Sequence, residues 1–166
     1  MKTYRMNAVM AGVLYFLGTV FGVLGSTIGG EVLSSLTLSK PLAGVDILSL
    51  VAANSSRLTG GAFFTLMMGI SLMAMTVFLY PIFRKDSEEL AMGMVLFRGA
   101  LEGTGYLVST VGFLALVVLG NEYVVTGADS AALQSMGNVL YQFQDRLAAV
   151  GPIFFLIGAT LSLIHI

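Results

Sequence analysis

Cysteine is absent from the 166 residues, which excludes a disulfide framework, a thiolate nucleophile and any cysteine-based metal site. Tryptophan is absent too, and histidine occurs once, at His165. That argues against a histidine metal cluster and a Ser-His-Asp triad. Charge is scarce. Only 10% of the residues are Asp, Glu, Lys or Arg, against about 25% in a soluble domain. With a net charge of -1, a pI near 5.7 and no basic block, nothing neutralises phosphates, so no nucleic-acid partner is expected. Neither a P-loop nor a G-x-S-x-G motif occurs, which argues against ATP-driven transport and serine hydrolysis. No cofactor and no metal are expected.

Apolar residues fill the chain instead: 57% are hydrophobic and the mean hydropathy is +0.92. A soluble fold of this size could not hide so much apolar surface. The expected fold class is therefore all-α, a polytopic transmembrane helical bundle forming one domain over residues 1–160. A helix crossing a ~30 Å hydrocarbon core needs about 20 mostly apolar residues, and four stretches qualify. They run from about Ala8 to Ile28, Gly60 to Phe83, Leu90 to Leu119, and from Leu147 through Pro152 onward. The first follows Lys2 and Arg5 like a signal peptide. It is longer than an h-region and no A-x-A-like site follows, so it reads as a span.

Two longer connections separate the spans. Gly29 to Thr59 carries Glu31, Lys40, Pro41, Asp46 and Arg57, with a short interfacial helix expected over Val45 to Ala53. Gly120 to Arg146 opens on the turn residues Thr126-Gly127-Ala128-Asp129. Leu133, Met136, Leu140, Phe143 and Leu147 then alternate with Gln134, Asn138, Gln142 and Asp145 at helical spacing. This predicts an amphipathic interfacial helix over about 130–146, capped by Asp129 or Ser130, along the headgroup boundary or over the bundle mouth. Asp145 and Arg146 read as an interfacial pair at the mouth of span four. Lys2, Arg5, Arg84 and Lys85 lie on one side of the spans, while Lys40, Arg57 and Arg146 are spread thinly over the long connections. That bias predicts a cytoplasmic amino terminus in a bacterial inner membrane.

The most informative residues are Arg98 and Glu102 inside span three. Four apart, they share one helix face. A rise of 1.5 Å per residue from Leu90 puts them ~12 and ~18 Å deep, near the midplane. Each central charge costs about 2.5–3.5 kcal/mol on insertion scales, while the span's roughly fourteen Leu, Ile, Phe and Val residues return about 0.3–0.6 each. Such a helix is marginal alone, so the charges need a mutual pair, polar partners on other helices, or a wet cavity. They form the candidate site: a solute or proton path, a catalytic pocket, an internal clamp, or an arginine that snorkels.

Gly18-x-x-x-Gly22, Gly25-x-x-x-Gly29 and Gly99-x-x-x-Gly103 mark stripes where helix backbones can approach, read as packing within the chain. The scattered methionines (Met67, Met68, Met73, Met75, Met92, Met94) lack histidine or cysteine support and read as core filling. Tyr4, Tyr80, Tyr106 and Tyr123 take the role of interfacial anchors.

Several segments resemble one known family. They are Ala11-Gly12-Val13-Leu14-Tyr15-Phe16-Leu17-Gly18, Leu79-Tyr80-Pro81-Ile82-Phe83, Phe97-Arg98 with Glu102, Glu122-Tyr123 through Asp145, and Gly151-Pro152-Ile153-Phe154-Phe155. In this order they resemble the bacterial membrane family known as "domain of unknown function 4386". The resemblance implies a polytopic inner-membrane protein of about six or seven spans, with Arg98 and Glu102 on characteristic positions and no established activity. Against that pattern the chain stops inside span four. Its last six residues, Leu161 to Ile166, also translate one frame of a common transposase sequencing adapter, so they are expected to be foreign. His165 is then no part of any site.

Three functions remain open at this level. The first is a small-solute carrier or binding protein with Arg98 and Glu102 at a midplane site. The second is a membrane-embedded enzyme on a lipid or quinone-like substrate, with Glu102 as acid or base and Arg98 holding an anion. The third is a structural or regulatory subunit. The partners expected are the lipid bilayer and a small-molecule or lipid ligand; the oligomeric state is open.

Overall fold

The structure, a computed structural model, describes residues 2–30, 32–33, 46–127 and 130–164. Expectations that rest on Glu31, Lys40, Pro41, Val45, Ala128, Asp129 and His165 lie outside the described residues. Strands are absent among the described residues, and the fold is all-α. The helices are α1 (Lys2–Ile28), α2 (Ile47–Ala53), α3 (Ser55–Phe83), α4 (Glu88–Met94), α5 (Glu102–Val125) and α6 (Ala131–Leu163). A π-helical segment, Val95–Leu101, joins α4 to α5 without interruption. Four stretches are long and apolar enough to cross a membrane: Tyr4–Ile28, Ser55–Phe83, Glu88–Val125 and Ala131–Leu163. These are the four expected spans, and the protein is a membrane protein built on transmembrane helices.

Local chemistry sets the helix ends. Gly30, at a φ of 68°, takes the left-handed conformation that ends α1 at little steric cost. The guanidinium of Arg57 lies against that glycine, where a cation meets the negative end of the helix dipole. The Ser87 hydroxyl accepts from the Leu90 amide at 3.3 Å and caps α4, with Glu88 and Glu89 in the first turn. Ser130 caps α6 in the same way, accepting from Leu133 at 3.3 Å. Asp46 caps α2, accepting from the Leu48 amide at 3.1 Å and the Ser49 hydroxyl at 2.7 Å. Burial is the largest single influence on that carboxyl and opposes its ionised form. Hydrogen bonds from Ser49, Tyr123 and the Leu48 amide together outweigh it and hold Asp46 below the usual carboxylate range.

The chain divides into two compact units, each using parts of the same long helices. One comprises Val23–Thr65 and Val108–Ala149. Its core gathers Val32, Leu33, Ile47, Val51, Leu58, Ala62, Phe113 and Leu116. Here α2 is seated rather than adsorbed: a Cβ on Gly120 would lie 3.0 Å from the Leu48 carbonyl oxygen, and one on Gly137 would lie 2.6 Å from the Leu48 side chain. The other unit comprises Met1–Gly22, Leu66–Leu107 and Val150–Ile166. In it Gly18 faces Leu72 and Gly22 faces Met68, so the first glycine stripe packs α1 on α3.

One expectation changes. The amphipathic segment and the fourth span are a single helix, α6, with Pro152 inside it. Met136 and Phe143 of its expected apolar face are exposed, as contact with lipid allows, while Gly137 and Gln144 are buried. The reason is the solvent. In lipid a large apolar side chain gains little by turning inward, whereas a small residue lets helix backbones close up.

The glycine contacts make a prediction. A Cβ on Gly61 would sit 2.6 Å from the Gly29 Cα and 3.0 Å from the Gly25 carbonyl oxygen; both are backbone atoms with no side chain to move aside. Gly61→Ala is expected to cost about 1–3 kcal/mol, seen as a lower melting temperature in detergent micelles. Gly12, with nothing within 4 Å, should accept alanine with no loss.

Candidate functional site

The site begins with a local departure from α geometry. From Val95 to Leu101 the hydrogen bonding is π-helical, and the Glu102 amide reaches back five residues to the Phe97 carbonyl. Tight approaches flank the segment. A Cβ on Gly99 would meet the Thr76 hydroxyl of α3 at 2.6 Å, and one on Gly158 of α6 would meet the Arg98 backbone nitrogen at 2.9 Å. Gly103, one turn on, is filled by Met73 of α3. Neighbouring helices therefore close on this part of the backbone, α3 through Thr76 and Met73 and α6 at the bare Gly158. Helical π segments are rare and concentrate at functional sites.

Within that frame Arg98 and Glu102 meet each other. Arg98 Nη1 donates to Glu102 Oε2 at 3.2 Å, the only salt bridge among the described residues. Their side chains are 8% and 3% exposed. The second carboxylate oxygen is also engaged, because the Tyr106 hydroxyl donates to Oε1 at 3.1 Å. Arg98 Cζ lies 4.3 Å from the centre of the Phe155 ring, close enough for a cation–π contact. The arrangement is thus a cation, a carboxylate and a phenol in line at i, i+4 and i+8, closed on one side by an aromatic ring. Chemically it can hold an anion, pass a proton or simply lock the helices.

The pairing expected from the spacing of Arg98 and Glu102 is present. The expectation for Tyr106 is corrected. It belongs to the site rather than to the membrane boundary, because its hydroxyl finds Glu102 one turn away. Tyr123 is corrected as well. It is 2% exposed and its hydroxyl accepts from Gln134, so it ties α5 to α6 instead of anchoring a span end. Tyr4 and Tyr80 stack with Lys85 and Arg84. Asp145 is half-buried and Arg146 exposed on α6, with no ion pair between them among the described residues; neighbours in sequence point apart on a helix.

Sequence reasoning missed Phe155 and Thr76, which carry no chemical label of their own. It also missed Gln144, 2% exposed, whose amide donates to the Ser109 carbonyl at 2.7 Å. Tyr106 was within reach, since it continues the four-residue spacing of Arg98 and Glu102.

Residues 10–165 match the sequence profile described as Domain of unknown function (DUF4386). The chain belongs to this family. The family description assigns no activity, so membership supports the membrane fold and leaves the chemistry to the site itself. No curated protein and no solved structure matches the chain.

Breaking one side of a buried ion pair strands the other charge, at about 3–5 kcal/mol. Arg98→Met and Glu102→Leu are each expected to destabilise the protein by that order in chemical denaturation from mixed micelles. The double substitution should cost less than either single one. Tyr106→Phe, which takes one donor from the carboxylate, should cost about 1–3 kcal/mol. Additive losses in the double variant would contradict the pairing.

Proposed function

We propose that the protein is a small-solute carrier or binding protein of a bacterial inner membrane, with Arg98 and Glu102 as its polar site near the bilayer midplane. One observation carries this reading: a buried Arg98–Glu102–Tyr106 cluster in and beside a π-helical segment of a span-length helix. Charged residues within membrane spans are costly and commonly mark solute or proton paths. A carboxylate between a guanidinium and a phenol is equipped to exchange a proton, and a guanidinium to hold an anion.

Reconstitution tests the proposal. Protein in liposomes, given a proton gradient and a panel of labelled solutes spanning anionic, neutral and cationic classes, should accumulate at least one of them about tenfold over empty vesicles. Glu102→Gln, checked for unchanged elution, should abolish that accumulation. If no solute of the panel accumulates, the carrier reading fails.

A second reading is favoured by the way the cluster satisfies itself, with both carboxylate oxygens already bonded. It makes the pair a clamp that fixes helix packing in a structural or regulatory subunit. Unchanged uptake together with a lowered melting temperature in Glu102→Gln would support this clamp over the carrier. Turnover of a lipid or quinone-like compound in detergent, without a gradient, would support the enzyme alternative instead.

Orientation is part of the proposal. Lys2, Arg5, Arg84 and Lys85 favour a cytoplasmic amino terminus. A reporter active only in the periplasm, fused after Ser87, should therefore stay silent; activity there would reverse the topology.

A further inference from the structure

The candidate site obeys a charge constraint that narrows what it can bind. Arg98 cannot give up its proton inside a protein, so its positive charge persists whatever occupies the site. Among the described residues, the charged or titratable groups facing Glu102 are Arg98 and Tyr106, both on its own continuous helix. The elements packed against it contribute none. Thr76 and Met73 come from α3, and Phe155 and Gly158 from α6. Residues 66–83 and 150–163 contain no Asp, Glu, Lys, Arg or His. Whatever separates Glu102 from Arg98 must therefore itself supply a negative charge, because an uncompensated guanidinium in this setting is strongly disfavoured.

Glu102 faces the mirror problem. Released from Arg98, it keeps only the Tyr106 hydroxyl as a donor, and a lone buried carboxylate is disfavoured in the same way. Taking up one proton resolves this. The present contact also leaves room for a better partner. Arg98 holds Glu102 through one oxygen only, at 3.2 Å, while the other oxygen is turned to Tyr106. A free carboxylate can accept two parallel N–H bonds from a guanidinium, the stronger arrangement. Arg98 Cζ lies 4.3 Å from the centre of the Phe155 ring, which sets an aromatic surface beside the cation for an organic tail.

We infer that the solute is a small organic monocarboxylate, which replaces Glu102 on Arg98 while Glu102 binds one proton. The inference rests on the carrier reading and names its substrate class. The charges balance. The resting site holds one positive and one negative charge. The loaded site holds the guanidinium, the solute carboxylate and a neutral glutamic acid. One anion and one proton enter together, so loading is electroneutral. A divalent anion such as hydrogen phosphate, HPO4 2−, would leave one negative charge unmatched.

The test uses the reconstituted protein with labelled lactate and gluconate as probes, beside inorganic phosphate, glucose and choline. An inward proton gradient should drive accumulation of the two monocarboxylates, and an imposed membrane potential should not alter it. Arg98→Gln should reduce that uptake about a hundredfold, and Glu102→Gln should remove the response to the gradient. Where Arg98→Gln fails to fold, Arg98→Lys serves instead. It keeps the charge but loses the planar fork, and should weaken uptake about tenfold. Arg98-dependent accumulation of phosphate, glucose or choline without the monocarboxylates overturns the inference and leaves the carrier reading standing. Uptake that follows the membrane potential overturns electroneutral loading, and the inference with it. Failure of every solute in the wider panel overturns the carrier reading, and the inference with it.

Discussion

A positive charge that cannot be discharged, held among apolar helices, sets the terms for everything around Arg98. A guanidinium 8% exposed in a stretch of chain this apolar has to be answered by an anion at all times. Glu102 answers it, Tyr106 shares the carboxylate, and the Phe155 ring lies beside the cation. Each contact is ordinary in strength. Together they convert two insertion penalties into one neutral cluster.

That cluster depends on residues with no chemistry of their own. Gly99 and Gly103 let Thr76 and Met73 close against the helix, and Gly158 lets α6 close against the Arg98 backbone. The same device recurs at Gly18, Gly22 and Gly25, which face α3, and at Gly120 and Gly137, which seat α2. In a bilayer, where burying another apolar side chain gains little, close backbone approach is the main source of helix cohesion. The wider π-helical turn at Val95–Leu101 sits where such approaches come from both α3 and α6. Membership of the DUF4386 family is consistent with this membrane architecture and leaves the chemistry to be settled at the site.

How much was legible beforehand follows from the range of each interaction. The spans were legible because hydrocarbon thickness sets a length and a composition that a linear scan detects. Arg98 and Glu102 were legible because four residues is one turn. The α2 helix was legible through its apolar run, though its cap at Asp46 was not. Harder were the contacts made at a distance in sequence. Nothing in Val95-Leu96-Phe97-Arg98-Gly99-Ala100-Leu101 distinguishes a π turn from an α turn. Phe155 looks like any lipid-facing aromatic. Which residues of α6 turn inward was harder too: Met136 and Phe143 stay outward while Gly137 and Gln144 turn in, against helices far off in the chain.

The sequence by itself determined that the protein crosses a membrane, roughly where, and that one span carries two opposite charges a turn apart. Those are consequences of composition and of local helical spacing. Only the tertiary structure decided that Thr76, Met73 and Phe155 surround the pair and that three glycines let their helices close on it. Such matters turn on which helix faces approach one another, and that is settled by packing between segments far apart in the chain.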